Sequence, residues 1–298
     1  MRNFIGTDTV WFLGVVEDIN DPVELGRVRV RCYGWHTEDK SQIPTDSLPW
    51  AVVVTPTTSA SVSGIGETFG LLQGSWVFGI FIDGQRAQEP MILGSLPGAP
   101  TTMPDGSLGF NDPDEEYPKY VDESDINKLA RGENTKTHTA DSDISEPESP
   151  YAAEYPHNHV METKSGHVKE YDDTPDAERI REWHKSGTFY EVGPDGDIIT
   201  HIVRDRYSVV HRNDSIHVKG NVKLVIDENC TTTIGGNWDV DVEGDITIDG
   251  RTINLNNGTK GAARIDDTVD TGDDPAGISG SDGSNKVETG SETVFIGG

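Results

Sequence analysis

The chain has 298 residues, 24 Lys plus Arg against 52 Asp plus Glu, and a formal net charge of -28. So acidic a surface repels phosphate backbones, and no nucleic-acid partner is expected. Hydrophobic residues make up only 33% while Gly and Pro number 33 and 16, which favours many short strands and turns over helical bundles.

The N-terminal stretch MRNFIGTDTVWFLGVV has no long apolar core, and no run in the chain reaches membrane-spanning length; a soluble protein without an export signal is expected. Cys32 and Cys230 are far apart and set no disulfide framework, so a reducing place of synthesis is the default. Residues 1–97 read as an all-β domain. VWFLGVVEDIND, GRVRVRCYGW, LPWAVVVTP, SWVFGIFIDG and EPMILGSLPG are five strand-like runs separated by Gly, Pro and Asp. In GRVRVRCYG, Val28, Val30 and Cys32 face one way and Arg27, Arg29 and Arg31 the other. Five short strands in so few residues suit a small closed barrel of the OB kind, with a five-stranded sandwich as the alternative. Trp35, Trp50 and Trp76 are read as core or interface.

Residues 98–150 shift to Pro, Asp, Ser and Gly without strand periodicity and read as an extended linker. One short helix is expected in SDINKLARG, capped by Ser124 and closed by Gly132. Glu115, Glu116 and Asp122 sit there as a solvated charge run, not as a pair of carboxylates held in a cleft. Residues 151–187 include HNH at His157, Asn158 and His159, where structural histidines are the expected reading. A second helix is expected in DDTPDAERIREWHKSG, with Thr174 as cap, Pro175 at its first position and Gly187 at its close.

Residues 188–260 carry an eight-residue repeat. Gly220, Glu228, Gly236 and Gly244 fall on one grid, each followed by Asn or Asp (Asn221, Asn229, Asn237, Asp245). The third, fifth and seventh places of each eight are mostly apolar: Val222, Leu224, Ile226; Cys230, Thr232, Ile234; Trp238, Val240, Val242; then Ile246 and Ile248. Each repeat is thus one half-buried strand with a corner after it. A single thread of such strands leaves its apolar face and both edges uncovered. Identical chains winding together solve this, with Val222, Leu224, Ile226, Ile234, Val240, Val242, Ile246 and Ile248 as the shared core. A meander of hairpins is the plain alternative.

These segments resemble a known family. DPVELGRVRVRCYGWH, LPWA, FIDGQRAQEPMILGSLPG and DGSLGFNDPDEEYPKY look like the N-terminal OB domain of the central spike proteins of contractile-tailed phages. YPHNHVMETKSGHVKEYDDTPDAERIREWHKSGTFYEVGPDGDI is similar to the segment that opens the β-helix in those proteins and in the VgrG spikes of type VI secretion. The resemblance implies a homotrimer: three OB domains as a collar on a trimeric baseplate hub protein, three linkers, and a triple-stranded β-helix that pierces the host outer membrane. It also implies a place in the virion tail baseplate, assembled in the host cytoplasm. T-even relatives carry a lysozyme domain between barrel and needle; here only the linker fills that interval, so no enzyme activity and no cofactor are expected.

Residues 261–298 contain AARIDD and TGSETVFIGG, which look like pieces of PAAR tip proteins. In a self-formed threefold tip, Val287, Val294 and Ile296 would point inward and Phe295 would cover a neighbouring chain; a separate tip protein is the alternative. There is no His after His217 and no Cys after Cys230, so the tip lacks zinc ligands. Asp266, Asp267, Asp270, Asp273 and Asp274 read either as a loop for a hard cation such as calcium or as a solvated acidic loop. The reading is therefore a non-enzymatic, cell-puncturing central spike. The rivals are a VgrG-like spike of a secretion system or injection particle, a polysaccharide-degrading tail spike, and a nucleic-acid-binding OB protein.

Overall fold

The computed structural model describes residues 9–133 and 135–251, with the backbone alone of 268–270 and 284–286. The class is all-β, as expected. Strands β1 (Val10–Asp18), β2 (Val28–Cys32), β3 (Trp50–Val53), β4 (Trp76–Phe81) and β5 (Pro90–Ser95) close into a barrel in the order β1-β2-β3-β5-β4. Only β3 and β5 run parallel; the other pairs are antiparallel. This is the five-stranded OB arrangement, and the sandwich alternative falls.

The period-two pattern of β2 carries through to packing. Val28, Val30 and Cys32 are fully buried and meet Phe12, Val16, Ala51, Val77, Phe81 and Ile92 in one core. Burial pushes the Cys32 thiol up to about 12. Two glycines set how closely the strands cross. A Cβ on Gly14 would strike Val30 and the Arg31 carbonyl, and one on Gly79 would strike the Met91 carbonyl and the Phe12 ring.

The arginines do not all face water. A register shift between Val16 and Asp18 turns Glu17 inward. There Arg31 grips it with two nitrogens, Nε to Oε1 at 2.7 Å and Nη2 to Oε2 at 3.1 Å. Thr45 Oγ1 donates to the same carboxylate, and Arg31 also donates to the carbonyls of Thr37 and Ile43. The pair is buried but well supplied with partners, the condition under which a buried ion pair is tolerated. Trp35, Trp50 and Trp76 lie outside the buried core: Trp76 stacks on Tyr33, Trp35 sets its edge on Phe81, and Trp50 lies under Arg27 and Arg29.

The linker is draped over folded parts. Asn111 Nδ2 donates to the Glu17 carbonyl at the barrel, and Leu129 is fully buried further on. The helix expected in SDINKLARG is a single 3-10 turn, Leu129–Arg131, with Gly132 in the left-handed region after it at φ 74°. Asn127, not Ser124, caps it through Oδ1 to the Leu129 N–H.

A second sheet follows, an antiparallel meander of β6 (Asn158–Glu162), β7 (Val168–Asp172), β8 (Arg179–Trp183), β9 (Phe189–Val192) and β10 (Ile198–His201). The helix expected over DDTPDAERIREWHKSG is absent; that stretch is the end of β7, a turn and β8. Two physical reasons outweigh the capping signals. Arg179, Arg181 and Trp183 alternate with exposed Ile180 and Glu182, a period of two. Thr174 spends its hydroxyl on Asp172 Oδ1, 2.6 Å away, and Asp176 takes φ 63°, which ends any helical run.

This sheet is charged inside and partly apolar outside. Glu170, Asp172, Arg179, Arg181 and Glu191 are all buried beneath the linker, whereas Met161, Tyr171, Ile180, Tyr190 and Ile198 are exposed. Arg179 Nη1 reaches Glu191 at 3.0 Å and Glu170 at 3.3 Å, and its guanidinium lies 4.6 Å from the Tyr151 ring centre. Burial, then the Glu170 charge, pushes the Tyr151 phenol up to about 12. The last two strands, β11 (Thr268–Asp270) and β12 (Ser284–Lys286), pair with each other antiparallel. The chain divides between Asp227 and Glu228 into two units.

Candidate functional site

The repeat is the first candidate. The expectation that it begins near Thr188 is corrected, because 189–201 belongs to the second sheet. After β10 the backbone bends at 203–204, 211–212, 219–220, 227–228, 235–236 and 243–244, then again at 251. The grid read from Gly220, Gly236 and Gly244 is therefore real in the backbone. It extends two repeats earlier, to corners at Arg204 and Arg212 that no glycine announces.

Between corners the chain forms no strand pairing. Among the described residues, no backbone-to-backbone hydrogen bond involves 204–251. Every residue of 203–251 is exposed. The proposed core side chains are bare in the single chain: Val222 and Leu224 are each 76% exposed, Ile226 and Ile234 each 45%, and Val240, Val242, Ile246 and Ile248 lie between 47% and 67%. Runs of extended backbone whose N–H and C=O groups find no protein partner are open strand edges, and an apolar stripe beside them makes them adhesive.

The second candidate lies under the linker. His138 and Glu146 come from the linker and His201 from the end of β10, and one ligand atom from each lies within 4.8 Å of the others. Glu146 Oε1 is 3.0 Å from His201 Nδ1 and 3.3 Å from His138 Nε2. Its other oxygen accepts the Asp141 N–H at 2.8 Å. Burial works against the Glu146 charge, yet the Asp141 N–H and the two imidazoles hold its pKa below the ordinary carboxylate value. Phe189 forms the floor, with His138 tilted over it at 4.5 Å and His201 stacked at 5.4 Å. Both ring nitrogens of His138 are buried without a hydrogen-bond partner. Sequence reading missed this cluster, because its members are scattered along the chain at no ligand-like spacing.

The other singled-out residues separate. His157 and His159 are exposed, contrary to a structural role; Asn158 between them is the buried one, donating to the Leu129 carbonyl and to Glu170. Glu115 and Asp122 are exposed, and Glu116 pairs with Lys164 at 2.8 Å. Asp266, Asp267, Asp273 and Asp274, with Val287, Val294, Phe295 and Ile296, lie outside the described residues, and Asp270 is described only as backbone in β11.

Residues 34–178 match the family described as the Gp5 N-terminal OB domain, a span that runs from the end of β2 through the linker to the turn after β7. Protein Gp5 of Vibrio phage KVP40 is 37% identical over 273 residues, covering 75% of this chain and 65% of that protein. The pre-baseplate central spike protein Gp5 of Enterobacteria phage T4 is 41% identical over 134 residues, covering 43% of this chain and 23% of that one. The chain thus spans 65% of the first relative's length and much less of the second's.

Proposed function

We propose, from the match of residues 34–178 to the Gp5 N-terminal OB domain and the similarity to the two phage Gp5 proteins, that the chain is the structural spike at the centre of a phage tail baseplate. It acts mechanically, as a homotrimer whose repeat forms a triple-stranded β-helix driven through the host outer membrane when the sheath contracts. The OB barrels form the collar that seats on a baseplate hub, and residues 261–298 form or receive the tip.

One observation carries the shaft. The runs of 204–251 are cut into eights by regular corners, with a bare apolar stripe and no backbone partner among the described residues. Three chains in register supply both what the edges lack and what the stripe lacks: each strand pairs with a neighbour and turns Val222, Leu224, Ile226 and their equivalents toward a common axis. The second sheet offers neighbouring chains a further exposed apolar row in Tyr171, Ile180 and Ile198. A continuous interchain core leaves little local unfolding available, which is what a penetrating rod requires. No enzymatic step enters this proposal: of the linker acids singled out from the sequence, Glu115 and Asp122 are exposed and Glu116 pairs with Lys164, so they form no pair of carboxylates held in a cleft.

Immunogold labelling of intact and contracted tails tests the placement. Antibody against the barrel should mark the baseplate centre, and label spread along the sheath or tail fibres would contradict it.

A further inference from the structure

We infer that His138, Glu146 and His201 form a divalent transition-metal site, best suited to zinc, that fastens the linker to the last strand of the second sheet. Two imidazoles and one carboxylate are a donor set that zinc takes readily, with the fourth position left to water.

The distances from Glu146 to the two imidazoles suit the ion, and all three ligand atoms lie within 4.8 Å of one another. Zinc bound at about 2.0–2.1 Å from each donor sets neighbouring ligand atoms about 3.3 Å apart in a tetrahedron. Glu146 Oε1 stands 3.3 Å from His138 Nε2 and 3.0 Å from His201 Nδ1. The Asp141 N–H holds the far oxygen of Glu146, the kind of outer contact that aims a ligating carboxylate. The second, independent observation is His138. Its side chain is only 5% exposed, Nδ1 has no hydrogen-bond partner, and Nε2 faces Glu146 Oε1 at 3.3 Å without hydrogen-bond geometry. A buried polar group left this way costs folding free energy. A metal accepting the Nε2 lone pair removes that cost at one of the two nitrogens.

Position gives the site its role. His138 and Glu146 lie on the linker, His201 ends β10, and the first corner of the repeat follows at 203–204. An ion here would lock the linker onto the strand from which the repeat departs. With Phe189 beneath the two imidazoles, the ion would sit against an apolar floor that limits water access.

The test uses the tag-free full chain, stripped with a chelator and titrated with Zn2+ alone. One ion per chain should bind, the melting temperature should rise with zinc, and Ca2+ and Mg2+ should do neither. Co2+ in the same site should give the visible absorption of a tetrahedral nitrogen–oxygen set. Glu146→Gln and His201→Ala should each weaken zinc binding by more than the about 100-fold that loss of an outer partner costs, and should erase the Co2+ spectrum. The wild-type chain alone suffices to refute the site if it retains no stoichiometric zinc. Zinc binding at unchanged stoichiometry in both variants overturns it equally, since the ion would then lie elsewhere.

Discussion

Replacing Val240 by Asp tests whether the stripe is an interchain core. Val240 is 55% exposed in the single chain. Complete burial of a valine is worth about 1.5–3 kcal/mol, so covering the remaining half returns about 1 kcal/mol per chain. Threefold repetition makes that about 3 kcal/mol per trimer. Aspartate forfeits this and puts three carboxylates around one axis. Each must stay charged at a cost of several kcal/mol or take up a proton, and the three repel one another. Val240→Ala should lose only the apolar share and remain assembled. The outward neighbour offers the control: Asp239→Ala changes charge at a place facing solvent and should leave assembly intact. Size-exclusion chromatography with light scattering reads the result. The parent chain, Val240→Ala and Asp239→Ala should run at three times the 32.5 kDa of the single chain. Val240→Asp should shift toward the single-chain mass or to open aggregates. If Val240→Asp keeps the parent's mass and melting temperature, or if Asp239→Ala disrupts assembly as severely, the stripe does not face an axis and the reasoning fails.

Three other outcomes are expected. Glu17→Ala strands Arg31 in the barrel and should cost about 3–5 kcal/mol in urea unfolding, whereas Glu17→Met combined with Arg31→Met should recover most of it; equal losses in the single and double variants would refute the pairing. The Tyr151 phenol, pushed up to about 12 from an ordinary value near 10.0, favours the folded state only while the unfolded chain's phenol would be neutral. Its contribution is intact below pH 10 and falls as pH rises toward 12; burial also pushes the Tyr33 and Tyr117 phenols up, so tyrosinate absorbance should show several late-titrating phenols, one of which is lost in Tyr151→Phe. Cys230 is exposed in the single chain but occupies an apolar place of the repeat, whereas Cys32 is in the barrel core; neither thiol should react with a maleimide in the native assembly, both should after denaturation, and rapid native labelling at Cys230 would contradict axial burial.

The barrel was legible because its strands announce themselves twice, by alternation and by turn residues. GRVRVRC put Val28, Val30 and Cys32 in the core, where they are. The same alternation could not tell that Arg31 is buried, since its inward partner Glu17 depends on a shift of register that no local signal carries. The helix expected after Thr174 failed because capping residues are also turn residues: Thr174 and Pro175 serve a strand–turn–strand as readily as a helix start. The decisive pattern was the alternation of Arg179 and Arg181 with Ile180, obscured because here the charged side is the buried one. The repeat's corners were legible from Gly220, Gly236 and Gly244 and, by spacing alone, at Glu228; the same spacing continues back to Arg212 and Arg204, which the grid did not name, and the start expected near Thr188 is too early. The His138, Glu146 and His201 cluster had no sequence signature, because the linker brings it together by folding back over the sheet.

Cryo-electron microscopy of the purified chain separates a trimeric spike from a single-chain protein. Particles with threefold symmetry are expected, with a collar of three barrels and a shaft in which every strand of 204–251 pairs with a neighbouring chain. Single-chain globules trailing an unpaired repeat, or a shaft whose strands pair only within one chain, would contradict the trimeric spike.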